Sequence, residues 1–198
     1  MNSIPCTEKN YNILVIGATG VGKTSLIKAL FNLEIDDTIP TLGLSVVANS
    51  VKLSSNDIIN FKIYETSSFI SSMFDQIDII HAILFCFSTE SLNSIKELQS
   101  IFHSIQCLNC KCASNSGLVF VGTKFDLGIL MSPSEKNRIL GKISKHSRSL
   151  NIPVILTSAK SNIFIEEFKK FILYSAENDY SIQKNIFDSM EKNNQKYF

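Results

Sequence analysis

The sequence has almost no net charge, because 19 lysines and arginines stand against 18 aspartates and glutamates in 198 residues. A net charge of +1 creates no field that would attract a nucleic acid or an anionic membrane surface. The only short basic run, residues 142–148, is interpreted as the solvent-exposed face of a helix. We therefore expect no nucleic-acid partner.

The sequence also lacks signals for secretion, membrane insertion and lipid attachment. Its first ten residues contain no basic segment followed by an apolar core, and the longest apolar segment, residues 77–87, is interrupted and too short to span a bilayer. No glycine follows Met1, and the last cysteine, Cys112, lies far from the final residue. Because myristoylation and prenylation need those acceptors, we expect a cytoplasmic protein without a direct lipid anchor.

Cysteine is too sparse to build a disulfide framework, and the five thiols should be reduced inside a cell. Cys107, Cys110 and Cys112 form a C-x2-C-x-C cluster that would supply part of a zinc site. No second cysteine pair and no histidine pair occurs at a ligand spacing. A surface loop with incidental thiols is the favoured interpretation, and a zinc site is the alternative.

Apolar runs typical of strands alternate with segments of helical period, which predicts an α/β fold on a largely parallel sheet. The second and third strands are separated by only four residues, too few for a crossover helix, so these two should form an antiparallel hairpin. Six strands are predicted, at residues 12–16, 44–53, 58–64, 82–87, 118–122 and 154–157.

Helices are predicted between the later strands. Apolar side chains recur every three or four positions over residues 92–105 and 164–171. Ser132, Pro133 and Glu135 combine an N-cap serine, a proline at the first helical position and a glutamate that can reach back, so a helix should begin there. The sequence contains no repeat and no low-complexity linker.

We therefore expect one globular domain at residues 11–178, in a monomer. Residues 1–10 would form an N-terminal extension. Residues 179–198 lose the apolar rhythm and would form a helix end or a tail.

A glycine-rich motif lies between the first strand and the first helix. Its glycines let successive backbone N–H groups point at a polyphosphate, and the helix N-terminus adds partial positive charge. Lys23 can reach the β and γ phosphates, and the Thr24 hydroxyl can hold magnesium. The pattern predicts a nucleoside triphosphate with Mg²⁺ and leaves the base open. The residues assigned to the loop are Gly17, Ala18, Thr19, Gly20, Val21, Gly22, Lys23, Thr24 and Ser25.

Two further motifs, each directly after a predicted strand, indicate guanine. The Asp126 carboxylate can accept hydrogen bonds from the N1–H and the 2-amino group of guanine, a donor pair that adenine lacks. Lys124 can lie along the purine plane while tying back to the phosphate loop, and the N–H of Ala159 can donate to the purine O6. Asp126 thus disfavours an ATP-dependent enzyme. The residues assigned to the base are Thr123, Lys124, Asp126, Ser158, Ala159 and Lys160.

In this order the three motifs resemble those of the Ras superfamily of small GTPases, over about residues 11–174. The resemblance implies a P-loop NTPase of the small G-protein fold, with helices on both faces of a six-stranded, mostly parallel sheet. It also implies GTP and GDP with Mg²⁺ as ligands, and effectors and exchange or activating proteins as partners. Thr41 matches the family threonine that senses Mg²⁺ and the γ-phosphate, and Ile35 falls near the usual aromatic at the nucleotide edge.

A narrower resemblance appears in the second half of the chain. The strings AILF at residues 82–85, SLNSIKE at 91–97 and VGTKFD at 121–126 look like the septation-initiation and mitotic-exit GTPases. That subfamily also lacks a C-terminal prenyl cysteine. The resemblance implies signalling in cell division, with recruitment to a division-related structure by protein partners.

The segment after the third strand departs from the family pattern. The family places there an aspartate, a glycine that contacts the γ-phosphate and a glutamine that orients the attacking water, whereas this chain has Glu65, Ser68 and Phe69. Glu65 keeps a carboxylate near the magnesium. Phe69 can neither donate to nor accept from a water, and Gln76 stands seven residues further on. If Phe69 is matched instead to a later family phenylalanine, the glycine and the glutamine are deleted from this chain. No catalytic residue is assigned, and the candidate metal ligands are Thr24, Thr41 and Glu65.

Two functions therefore stay open. Hydrolysis by Ras-type proteins is slow even with the glutamine, at about 10⁻⁴ to 10⁻³ per second. The chain is then either a switch with weak intrinsic hydrolysis, turned off by a partner or by nucleotide exchange, or a pseudo-GTPase that holds nucleotide as an interaction scaffold.

The assignment of the base yields a first testable prediction. Replacing Asp126 by Asn exchanges one acceptor oxygen for an NH2 donor, which opposes the guanine 2-amino group and suits the xanthine 2-oxo group, so Asp126→Asn should shift the preference from guanine toward xanthine nucleotides. Competition of GDP and XDP for a fluorescent nucleotide measures the shift. An unchanged affinity for GDP would mean that Asp126 does not face the base.

Overall fold

The computed structural model describes residues 7–31, 43–53, 56–67, 77, 79–106, 112–177, 185, 188–190 and 192, and for residues 112–116 it describes the backbone alone. Several sequence predictions fall outside these residues and stay predictions. They concern Ile35, Thr41, Ser68, Phe69, Gln76, Cys107 and Cys110.

Six strands form one sheet in the order β2-β3-β1-β4-β5-β6. All neighbouring pairs are parallel except β2 and β3, which form the expected antiparallel hairpin. The predicted six-stranded α/β fold is therefore confirmed. The strands are β1 (Glu8–Ile16), β2 (Leu44–Lys52), β3 (Ile58–Thr66), β4 (Ile80–Ser88), β5 (Cys112–Thr123) and β6 (Val154–Leu156).

Two strands begin earlier than their apolar runs. In β1 the polar residues 8–10 are exposed, yet their backbone pairs with β3 from the Glu8–Ile58 pair onward. In β5 the strand begins at Cys112, which pairs with Ile80. Backbone pairing needs no apolar side chain, so hydropathy marks only the buried part of a strand.

Five helices connect or follow the strands in the described residues up to Glu177. The predicted start of α4 is confirmed, because Ser132 Oγ accepts from Glu135 N at 3.4 Å and donates to Glu135 Oε2 at 2.6 Å. The last helix begins one residue after Phe164, whose φ of 55° is left-handed. The helices are α1 (Lys23–Leu30), α2 (Leu92–Gln106), α3 (Phe125–Leu130), α4 (Pro133–Leu150) and α5 (Ile165–Glu177).

The helices cover both faces of the sheet. Ile13 and Val15 of β1 belong to one apolar cluster with α1 and α5, whereas Leu14 and Ile16 belong to a second cluster with α2 and α4. This alternation follows from the two-residue period of a strand, and it makes β1 the buried centre of three layers.

The C-terminal segment also contributes to this core. Met190 is buried in the cluster that contains α1 and α5. Among the described helices, none is both long and apolar enough to cross a membrane.

The end of β1 packs directly against the backbone of β4. A Cβ added at Gly17 would lie 2.1 Å from the carbonyl oxygen of Cys86. Glycine is therefore required at position 17 to let β1 pass into the following loop beside β4. Burial raises the pKa of the neighbouring Cys86 thiol to about 12, so that side chain stays a neutral thiol.

A pair of glycine substitutions tests this packing. Gly17→Ala should destabilise the nucleotide-free protein by about 1–3 kcal/mol or more, because the backbones of β1 and β4 must separate. Gly141→Ala is the matched control, since an added Cβ meets nothing within 4 Å in α4 and alanine is the better helix former by about 0.5–1 kcal/mol. Urea unfolding measures both. Equal stability of the two variants would contradict the close approach at Gly17.

Candidate nucleotide-binding site

The predicted site residues meet at one edge of the sheet. The phosphate loop follows β1, and the two base motifs follow β5 and β6. In the sheet β1 pairs with β4, β4 with β5 and β5 with β6, all in parallel. Glu65 lies at the same edge, opposite Val15 in the register of β3 and β1. Ligands of open α/β sheets bind outside the carboxyl ends of the strands, so the topology brings the separate motifs to one place.

The phosphate loop has the backbone that its glycines allow. Gly20 has a φ of 76°, and Gly22, the N-cap residue of α1, has a φ of 99°. L-residues with side chains rarely adopt these angles. Because Gly22 lies directly before the helix, the first N–H groups of α1 face the loop, which suits an anionic group.

Lys23 places its ammonium group inside this loop. Its Nζ donates to the carbonyl oxygens of Gly17 and Ala18, both at 2.9 Å, and the side chain is buried. Burial lowers the pKa of Lys23, while the charge of the Glu65 carboxylate acts in the opposite direction. A phosphate oxygen would offset the cost of burying this cation, so the loop fits a polyphosphate.

Two candidate magnesium ligands are in direct contact. Thr24 Oγ1 donates to Glu65 Oε1 at 2.6 Å, and Glu65 is 3% exposed. A hydroxyl and a carboxylate are oxygen ligands of the kind that Mg²⁺ takes together with waters and substrate phosphates. The described residues contain no cluster of three or more His, Cys, Asp or Glu, and the third candidate, Thr41, lies outside them. The pair fits a magnesium ion whose remaining ligands come from elsewhere.

Thr123 joins the base motif to the phosphate loop. It is 4% exposed, and its hydroxyl lies within hydrogen-bond reach of the carbonyl oxygens of Val21 and of Phe87, the latter at 2.9 Å. One short side chain therefore ties the end of β5 to the phosphate loop and to β4.

The two base motifs are also joined to each other. Ser158 Oγ donates to Asp126 Oδ1 at 2.6 Å and accepts from the N–H of Ser161 at 3.1 Å. Ser158 is fully buried and Asp126 is half-buried. A carboxylate has lone pairs for several donors, so this bond orients Asp126 and leaves it capacity for a base. Ala159 and the exposed Lys160 lie in the turn that follows.

Lys124 departs from one expectation. Its Nζ forms an ion pair with Glu90 Oε1 at 2.9 Å, instead of tying back to the phosphate loop. Its stem still runs beside that loop, because a Cβ added at Gly22 would lie 3.9 Å from Lys124 Cγ. The ammonium group turns away because a carboxylate binds it more strongly than neutral backbone carbonyls do.

Sequence reasoning missed Thr89 and Glu90. Thr89 Oγ1 lies 3.0 Å from the carbonyl oxygens of both Thr123 and Lys124, so it supports the backbone of the base motif. Both residues follow β4 in a turn that belongs to none of the three motifs. Only one sequence signal could have indicated a role for them, namely their position directly after a predicted strand that ends at the edge of the site.

The comparison with protein families decides the class of this site. The Ras family model matches residues 12–178. The chain belongs to the Ras family. A comparison with curated proteins gave no match. Ras-family proteins are GTP-binding regulatory switches that typically use Mg²⁺ and interact with regulators and effectors.

The link between the loops of this Ras-family protein can be tested with two isosteric substitutions. Thr123→Val removes the hydroxyl shared by Val21 and Phe87, so it should cost about 1–3 kcal/mol of stability and speed the release of a fluorescent GDP. Thr157→Val is the matched control. Thr157 is equally buried and lies 3.2 Å from the Gly122 carbonyl, away from the phosphate loop.

Both variants should be less stable in urea, and only Thr123→Val should release nucleotide faster. Equal release rates for the two variants would mean that the bond to Val21 does not support the loop.

Proposed function

We propose that this Ras-family protein is a GTP/GDP switch with weak intrinsic hydrolysis that acts in cell division or septation. The observation that carries the proposal is the presence of Phe69 where the family has its water-orienting glutamine, in a chain that keeps the phosphate-loop and base motifs of the family. The off-step would then depend on an activating protein or on nucleotide exchange.

The binding half of the proposal rests on the site geometry. The phosphates would lie on the N–H groups around Gly20 and Gly22, with Lys23 as their buried cation. Thr24 and Glu65 would hold the magnesium, which would supply neutralisation of phosphate charge. The base would lie against the loops that carry Lys124, Asp126 and Ala159. Each of these groups belongs to the one edge where the parallel strands end.

The hydrolysis half rests on the missing water-orienting group. Phenylalanine has no hydrogen-bonding atom in its side chain, so Phe69 cannot align an attacking water. The Glu65 carboxylate, a candidate magnesium ligand, already accepts a hydrogen bond from the Thr24 hydroxyl. Removing the glutamine from chemistry that is already slow leaves little unassisted turnover.

The alternative is a pseudo-GTPase that keeps its nucleotide and serves as an interaction scaffold. The same residue, Phe69, supports it, because complete loss of hydrolysis would leave a permanently loaded protein. The role in cell division rests on the three strings shared with the septation-initiation and mitotic-exit GTPases. We propose a cytoplasmic monomer recruited by protein partners.

Single-turnover hydrolysis of bound GTP tests the proposal. The wild type should turn over more slowly than about 10⁻⁴ per second, below Ras-type proteins. The double variant Ser68→Gly/Phe69→Gln should be faster, by roughly tenfold, because it restores the water-orienting group. Equal loading of both proteins with GTP is the control for binding.

Each outcome has a distinct meaning. A wild-type rate at or above about 10⁻⁴ per second, in the range of Ras-type proteins, would contradict weak hydrolysis. A wild type without turnover, alone or with an activating protein, would support the scaffold instead of the switch. Failure of the wild type to bind GTP or GDP would overturn both.

A further inference from the structure

We propose that Glu90 is a positioning residue for guanine-nucleotide binding, which acts by fixing the side chain of Lys124. The inference rests on the proposed nucleotide-binding function and extends it to a residue outside the three motifs. The observation behind it is the ion pair between Glu90 Oε1 and Lys124 Nζ at 2.9 Å.

Glu90 is itself held in place by the turn after β4. Its backbone N–H donates to Ser88 Oγ at 3.4 Å, and that hydroxyl lies 3.5 Å from Glu90 Oε1. The preceding residue, Thr89, is buried. The Glu90 carboxylate therefore projects from a turn that is anchored through the two preceding residues, Ser88 and Thr89.

The backbone of Lys124 is equally well fixed. Its φ of 55° is left-handed, and its carbonyl oxygen accepts from the N–H groups of Leu127 and Gly128, at 3.0 and 3.2 Å. The Thr89 hydroxyl lies 3.0 Å from the same oxygen. A Cβ added at Gly128 would lie 2.5 Å from Thr89 Oγ1, so α3 and the β4 turn are in close contact. These contacts fix the distance between the backbone of Glu90 and the backbone of Lys124.

Only the long side chain of Lys124 is then left to be ordered. A free lysine samples many rotamers and loses this freedom when it packs along a purine. The ion pair with Glu90 selects a rotamer of Lys124 in which the methylene groups run past Gly22 of the phosphate loop. Because part of the ordering is complete before nucleotide arrives, binding should be tighter than with a mobile lysine.

The solvent exposure of Glu90 and Lys124 sets the expected size of the effect on nucleotide affinity. The two side chains are 37% and 36% exposed, so solvent screens their attraction. An exposed pair of this kind corresponds to a change of roughly two- to fivefold in affinity. Salt should reduce the effect further.

The test measures the release of a fluorescent GDP from five proteins: the wild type, Glu90→Gln, Glu90→Asp, Lys124→Ala and the Glu90→Gln/Lys124→Ala double variant. Glu90→Gln should release GDP roughly two- to fivefold faster at low salt, and the difference from the wild type should shrink in high salt. Glu90→Asp should be intermediate, since it keeps a shorter carboxylate. In the Lys124→Ala background, Glu90→Gln should have no further effect.

Glu97→Gln is the matched control. Glu97 lies on the exposed face of α2, and the substitution makes the same change in net charge. Its GDP release should equal that of the wild type. Urea unfolding of the nucleotide-free proteins separates positioning from a loss of stability, because the pair is a surface pair and Glu90→Gln should change stability little.

The outcomes separate this inference from the function on which it rests. If the wild type binds GDP and Glu90→Gln releases it at the wild-type rate, the positioning role is wrong and the switch stands. If Glu90→Gln has its full effect without Lys124, Glu90 acts by another route and the positioning role is also wrong. If the wild type binds no guanine nucleotide, both proposals fall.

Discussion

The contact between the Thr123 hydroxyl and the Val21 carbonyl is the one on which the site depends. It joins two segments that are 102 positions apart in the chain, and it does so in the buried layer beneath the site. The carbonyl of Phe87 shares the same hydroxyl. The ends of β4 and β5 and the phosphate loop therefore keep one relative position, and the candidate phosphate-binding and base-binding residues are held at a set distance from each other.

Close backbone packing and a buried cation act together beneath the phosphate loop. Gly17 lets the backbone of β1 pass against Cys86 of β4 without a side chain between them. Lys23 lies across the loop and donates to two of its carbonyls, at a cost in desolvation that lowers its pKa. A site that already holds a partly desolvated cation binds an anion strongly, since less hydration remains to be removed.

The sequence predicted the six strands, the hairpin and the start of α4, because buried periodicity and capping residues are local signals. It did not predict α3, which is six residues long and has no apolar period of its own. It placed the Lys124 ammonium at the phosphate loop, whereas Glu90 binds it. That error has a physical reason: the direction of a lysine depends on a carboxylate from another strand end, and the pairing of strand ends is a property of the fold.

Binding and hydrolysis depend on different parts of this chain. The contacts that would grip a guanine nucleotide come from strand ends and from the first turn of α1, which the two apolar clusters hold in place. In the proposed switch, the water-orienting position of the family corresponds to residue 69, which none of the candidate binding contacts described above uses. A change from glutamine to phenylalanine there would remove a hydrogen-bonding group without disturbing Thr123, Asp126 or Lys23. A Ras-family protein can therefore lose much of its catalysis and keep its nucleotide. In such a protein the partners determine when bound GTP is hydrolysed or exchanged.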